Sequence, residues 1–246
     1  MRWKTWLAGL VLGLVAATPL PAAAEFTAEQ RAEIVAIMRD AMKQDPSILK
    51  DAITALQTDE GAREKAGARD ALASVRDKLV NSLDPVGGNP KGDVTIVEFF
   101  DVRCPYCKRL EPDMARFLAG DRGVRLVYKD LPILGPASTL GSKALLAAHR
   151  QNAYEKYRDA VMKLPADITL AALEAAAKKL GLDWPKLARD MDDAAIKQQI
   201  DANLALAHKL SIQGTPALII GDEVVPGAVD VDELKRLVAD ARHAKG

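Results

Sequence analysis

The only two cysteines of this 246-residue chain stand three positions apart, in Cys104-Pro105-Tyr106-Cys107, directly after the apolar run Val94-Thr95-Ile96-Val97-Glu98-Phe99-Phe100. A β-branched and aromatic run of that length reads as a strand buried on both faces, and the stretch from Lys108 onward to Leu118 reads as a helix. The pair therefore sits where a strand hands over to a helix. At such a junction the first sulfur meets the free N–H groups and the positive end of the helix macrodipole, which favour thiolate. Pro105 suits the first helical turn, where a missing N–H costs nothing.

Other uses of a cysteine pair fit less well. A structural zinc ion needs four ligands, and His149, His208 and His243 supply none at finger spacing. Covalent haem attachment needs histidine after the second cysteine, where Lys108 stands. A purely structural disulfide would close so short a loop that its entropic benefit is small. A redox pair remains, with an exposed Cys104 attacking and Cys107 resolving the mixed disulfide.

Two further features accompany the pair. Glu98 interrupts an otherwise apolar strand, where an unpaired carboxylate is costly and its own pKa is driven up. Beneath a dithiol such a carboxyl serves as general base for the resolving thiol; on an edge strand it would simply point outward. Gly214-Thr215-Pro216 precedes the strand-like Ala217-Leu218-Ile219-Ile220, and proline opening a strand fits either a cis peptide in a tight turn or an ordinary trans turn.

Taken together, Val97-Glu98-Phe99-Phe100, Cys104-Pro105-Tyr106-Cys107 and Thr215-Pro216, in this order with helical sequence between, resemble the DsbA-like branch of the thioredoxin superfamily across residues 85–246. Gly88-Asn89-Pro90-Lys91-Gly92-Asp93 and Val127-Tyr128-Lys129-Asp130-Leu131-Pro132-Ile133-Leu134-Gly135 look most like the suppressor-of-copper-sensitivity (ScsC) group within it. The resemblance implies an α/β thioredoxin fold with a helical insertion, Cys104 as nucleophile, Cys107 as resolving thiol, Glu98 as buried proton acceptor and Thr215-Pro216 as a cis-proline loop that pairs with substrate backbone. It implies no cofactor and no metal beyond the redox-active Cys104-Cys107 pair, with Pro105 and Tyr106 completing the motif. Val102-Arg103 departs from the aromatic or polar pair common in relatives, so Arg103 either stabilises a thiolate or is a solvated surface charge.

Ahead of this domain, residues 1–24 read as a secretory signal. Arg2 and Lys4 form the positive end, Trp6 to Ala17 the apolar core and Ala22-Ala23-Ala24 the cleavage site. The apolar stretch is too short to span a bilayer, which takes about 20 residues. Its removal leaves a net charge of −2, from 34 basic and 34 acidic residues, so nothing marks a nucleic-acid or anionic-membrane partner. The implied destination is an oxidising compartment, most simply a bacterial periplasm.

Residues 25–84 predict an N-terminal helical stalk. Thr27 with Gln30 forms a capping box, with Phe26 as a candidate staple, ahead of a stripe containing Ile34, Ile37, Met38, Ala41 and Met42. Asp45-Pro46 starts a second helix carrying Ile48, Leu49, Ala52, Ile53 and Leu56, and a third, charged stretch runs from about Asp59 to Leu83. The charged part, 61–78, reads as a solvated spacer that bends at Gly61 and Gly67, each of which costs a helix about 1 kcal/mol. The apolar stripes must be covered by the catalytic domain or by copies of themselves. Self-association through residues 25–60 is the expectation, and the resemblance to ScsC relatives with such an extension implies an oligomer, with a trimer favoured. Residues 84–90 read as a turn-rich boundary.

Residues 136–210 predict the helical insertion, with segments near 143–151, 153–163, 169–180, 184 onward and 193–210, and Gly181 as a cap. His149 and His208 lie there without partners and read as structural or exposed. A hairpin at Gly221-Asp222 and a final helix capped by Asp230 and Glu233 close the chain.

Disulfide insertion, reduction and isomerisation share this thiolate chemistry. Threonine before the cis proline resembles isomerase-type relatives, and helices that array several Cys104 sites around one client suit isomerisation. Protein disulfide isomerase and reductase activity is therefore expected, on cysteine-containing client proteins, with a membrane reductase of the DsbD or ScsB type as partner. The alternatives are a monomeric disulfide-forming oxidase and a copper-binding protein using the same soft thiolates.

Overall fold

The computed structural model describes residues 26–165 and 167–244. The secretory signal expected at 1–24 lies outside them. Two compact units divide at Thr58/Asp59.

The first unit holds α1 (Ala28–Gln44) and the opening turns of α2 (Ser47–Leu79). The expected capping box forms: Gln30 N–H donates to Thr27 Oγ1 and Thr27 N–H to Gln30 Oε1. The staple does not, because Arg31 rather than an apolar residue occupies the facing position, and its Nε donates to the Phe26 carbonyl. No residue of α1 is buried, and Ile34, Ile37, Met38, Ile48, Ile53 and Leu56 are all exposed.

The second unit is built on a five-stranded sheet of order β1-β3-β2-β4-β5, comprising β1 (Val86–Gly88), β2 (Val94–Phe100), β3 (Val124–Asp130), β4 (Ala217–Ile220) and β5 (Glu223–Pro226). Strands β2 and β3 run parallel, joined through α3 (Pro105–Gly120), and Glu98 pairs with Tyr128 and Phe100 with Asp130. The other three pairings are antiparallel. Gly221, at φ +61°, makes the β4–β5 turn, where a side chain would be strained.

Alternation along the two central strands splits the core in two. Val94, Ile96 and Phe100 face one layer with Leu126 and Tyr128, together with α3, α4 (Pro136–His149), α5 (Tyr154–Met162), α6 (Leu170–Lys179), α7 (Trp184–Asp190), the first half of α8 (Ala194–Lys209) and α9 (Val231–His243). Three of the insertion helices, α6, α7 and α8, start on side-chain caps from Thr169, Asp183 and Asp193, and Asp230 caps α9. Val97, Phe99, Val127 and Ile219 face the opposite layer, where they meet Leu206, Leu210 and, from α2, Leu72 and Val75.

That second layer revises the stalk. α2 is one helix of 33 residues, unbroken at Gly61 and Gly67, and its final turns are part of the catalytic unit rather than a solvated spacer. Two glycine penalties of about 1 kcal/mol each are outweighed by burying a leucine and a valine, worth about 1.5–3 kcal/mol apiece. The turn-rich stretch at 84–90 is likewise more than a boundary, since β1 lies in it and pairs with the edge of β3. Val75→Ala is expected to lower the unfolding free energy by about 2 kcal/mol, whereas alanine at the exposed neighbour Asp77 changes it by less than about 0.5 kcal/mol. Urea denaturation of the two variants checks this.

Candidate functional site

Strand β2 ends at Phe100, and Asp101-Val102-Arg103 carries the chain to Cys104, the N-cap of α3, with Pro105 in the first turn. The Asp101 carboxylate organises this loop. It is fully buried and accepts hydrogen bonds from Arg103 N–H at 2.8 Å, Ser138 Oγ at 2.8 Å and Leu134 N–H at 3.0 Å, while its carbonyl accepts from Cys104 N–H at 3.0 Å. The loop is also gripped from behind. A Cβ on Gly141 of α4 would stand 2.6 Å from Val102 Cγ2, so only glycine permits that approach.

Both cysteines are free thiols. Cys104 is less open than a solvent-facing nucleophile: it keeps 5% of its surface, because its Sγ lies 3.1 Å from the Thr215 carbonyl, to which it donates. The Thr215–Pro216 bond is cis and lies directly across from the dithiol, 111 residues on in sequence. Cys107 is fully buried, and burial pushes its thiol well above the ordinary range, against an opposing hydrogen bond from the Asp101 backbone. Tyr106 is exposed, with the Arg109 guanidinium 4.5 Å above its ring. Arg103 Nη1 donates to the Leu134 carbonyl and ties the nucleophile loop to the segment after β3.

Glu98 lies in the central strand, flanked by β3 and β4, and keeps 1% of its surface; it does not point outward from an edge. Its carboxylate oxygens each accept from Arg158 Nη2 at 3.2 Å. Arg158 comes from α5, its Cζ lies 4.3 Å from the centroid of the Phe100 ring and 4.5 Å from that of Tyr128, and its Nη1 also meets Glu111 of α3. Burial raises the Glu98 pKa to about 7 despite Arg158, with Glu111 and Asp130 adding to the rise. Asp130, also fully buried, is raised to about 7 by burial, although Tyr154 Oη donates to it at 2.7 Å.

The native state holds these two protons up to about pH 7, whereas the carboxyls titrate at 4.5 and 3.8 ordinarily. The native state therefore binds more protons than the unfolded chain across that window. Their contribution to stability is complete below about pH 4 and is lost as pH rises through 7. Urea midpoints at pH 5 and pH 8 should differ in that direction, and Glu98→Gln should narrow the difference.

The structure thus brings Glu98, Cys104, Pro105, Tyr106, Cys107, Thr215 and Pro216 to one end of the sheet. His149 stacks edge-on against Tyr154, and His208 is exposed on α8. Among the described residues, no group of three or more His, Cys, Asp and Glu is placed to hold a metal ion, and no helix is long and apolar enough to cross a membrane. Sequence reasoning missed Asp101, Glu111, Asp130 and Arg158. Arg158 left a signal: it is the one charge on the stripe formed by Tyr154, Tyr157, Val161 and Met162.

A dithiol at a strand-to-helix junction, facing a cis proline over a buried carboxyl, defines a thioredoxin-type oxidoreductase site. Residues 95–239 match the DSBA-like thioredoxin domain, and residues 30–63 match the copper resistance protein ScsC N-terminal domain. A thioredoxin-like oxidoreductase from Silicibacter pomeroyi is 40% identical and superposes with a TM-score of 0.66, covering 68% of this chain and 98% of that one. A linker-deletion mutant of Proteus mirabilis ScsC is 30% identical, with a TM-score of 0.67, over 91% of this chain and 100% of that one. Na(+)/H(+) antiporter NhaA 3 of Salinispora tropica is 26% identical over 182 residues, which are 73% of this chain and 28% of that protein. The chain belongs to the DsbA-like thiol-disulfide oxidoreductase family, and it carries an ScsC-type N-terminal domain as well.

Proposed function

We propose that this chain is a periplasmic protein disulfide isomerase and reductase that acts on cysteine-containing client proteins as a homo-oligomer, with a trimer favoured. The Cys104 thiolate attacks a client disulfide, forming a Cys104–client bond and releasing one client thiolate. Two exits follow. Another client thiolate attacks the mixed disulfide, returning Cys104 as thiolate and leaving the client isomerised with no net redox change. Otherwise Cys107 gives its proton to Glu98 and attacks Cys104 Sγ, so that the client leaves reduced and the Cys104–Cys107 disulfide forms. That second exit consumes two electrons, which a membrane reductase of the DsbD or ScsB type would restore.

The observation that carries isomerisation over solitary oxidation is the uncovered N-terminal unit. Every residue of α1 is unburied, and the stripes on α1 and the start of α2 expose isoleucine, leucine and methionine together. Such a face is covered in solution by copies of itself, which sets several dithiols around one client and raises the effective concentration of each for the next step. Incubation of the reduced, intact chain with scrambled ribonuclease tests the reading. Recovery of ribonuclease activity that is lost in Cys104→Ser supports it, and equal recovery with and without Cys104 overturns it.

A further inference from the structure

The buried guanidinium of Arg158 is shared. Its Nη2 reaches both oxygens of Glu98 at 3.2 Å, its Nη1 reaches Glu111, and its Cζ lies over the rings of both Phe100 and Tyr128. Its side chain keeps 3% of its surface and that of Glu98 1%, whereas Glu111 keeps 25% and lines an opening with Lys108, Asp159 and Lys163. One cation thus serves a carboxyl sealed beneath the dithiol and a second carboxyl at the protein surface.

We propose that Arg158 is a positioning residue for the resolving half-reaction, and that Glu111 competes with Glu98 for its charge. The proposal rests on the reading of Glu98 as the acceptor of the Cys107 proton. Charged and titratable groups face Glu98 from each packed element: Arg158 from α5, Glu111 and Cys107 from α3, and Tyr128 and Asp130 from β3; β4 places Leu218 opposite it. Of these groups only Arg158 is a cation, so it decides whether Glu98 is ionised and able to accept a proton when Cys107 must lose one. Burial and the neighbouring carboxyls push Glu98 toward its neutral form, and Arg158 pulls it back. Glu111 draws on the same guanidinium and weakens that pull. Removing Arg158 and removing the charge of Glu111 should therefore act in opposite directions, a pattern that loss of packing does not produce.

The test follows the resolving step alone. The reduced protein is mixed with an aromatic disulfide, whose attack by Cys104 releases one aryl thiolate and leaves the other as a Cys104–aryl mixed disulfide. Cys107 then passes its proton to Glu98 and attacks Cys104 Sγ; the sulfur–aryl disulfide bond breaks, the Cys104–Cys107 bond forms, and the second aryl thiolate departs with the electron pair. Its absorbance gives the rate of this phase, measured by stopped flow from pH 5 to 9. In the wild type the rate should rise as Glu98 ionises. Arg158→Met should move the midpoint up by about one unit or more, and Glu111→Gln should move it down by about half a unit, in keeping with the effect of a single nearby charge. Arg158→Lys should fall between Arg158→Met and wild type. Glu111 is partly exposed, so its variant keeps the test decisive should Arg158→Met fail to fold. Midpoints that stay put, or move the same way in both variants, overturn the inference. A Glu98→Gln protein that retains the wild-type profile overturns the underlying reading of Glu98 instead.

Discussion

Cys107→Ala protein is expected to accumulate covalent complexes with its clients. Cys104 keeps its place at the N-cap of α3 against the Thr215 carbonyl and can still open a client disulfide. The intramolecular exit is gone, because the only other thiol in the chain has been removed. An attacking group held beside the mixed disulfide acts at an effective concentration far above any free thiol, so its loss, which leaves resolution to external thiols, should slow release of the client by about a thousandfold or more. Non-reducing electrophoresis should show high-mass species that collapse with dithiothreitol in Cys107→Ala and are absent in Cys104→Ser. A protein that used the two sulfurs only to bind a soft metal would trap nothing in either variant.

The second large effect concerns the buried pair of Asp84 and Lys129. Lys129 Nζ donates to Asp84 Oδ2 at 2.6 Å, with 1% and 0% of the two side chains exposed, and the same oxygen accepts from Asn81 N–H at 2.8 Å. The pair thereby ties the chain just after α2 to β3, the strand next to the one that ends at the dithiol. Removing one member of such a pair leaves the other as an uncompensated charge, which costs about 3–5 kcal/mol. Lys129→Met should lose about that much by urea denaturation, while the double variant Asp84→Leu with Lys129→Met should recover most of it, as apolar replacement of a whole buried pair is often neutral. A single variant within about 0.5 kcal/mol of wild type would show that Asp84 escapes to water and that the tie does not hold.

Much of the fold was legible because the informative residues act locally. A β-branched run followed by proline at a helix start gave strand, turn and helix around Cys104, and the caps at Thr27 and Asp230 marked helices that form where expected. The long-range pairings were not legible. Whether Leu72 and Val75 face water or the sheet depends on the apolar underside of β2 and β3, which the pattern of α2 alone does not reveal. Gly61 and Gly67 read as breaks because propensity was weighed without the packing that follows them. The site divides in the same way. The dithiol, Glu98 and Thr215-Pro216 announce themselves as motifs, whereas the cation that serves Glu98 comes from a helix 60 residues later. Its signal was one arginine in an aromatic stripe, and the partner on the sheet becomes visible only once α5 is folded against it. Asp101 is similar: a carboxylate after a strand is common, and its role depends on Ser138 and Leu134 meeting it from across the loop.

On the proposed reading, the N-terminal unit makes an isomerase by bringing several dithiols together. This is tested by light scattering on the chain from residue 25 and on one beginning at residue 59, each assayed in parallel on scrambled ribonuclease. The first should be an oligomer, most simply a trimer, that isomerises, and the second a monomer that exchanges disulfides but isomerises poorly. A longer chain that is monomeric, or a shorter one that isomerises equally well, would contradict that reading.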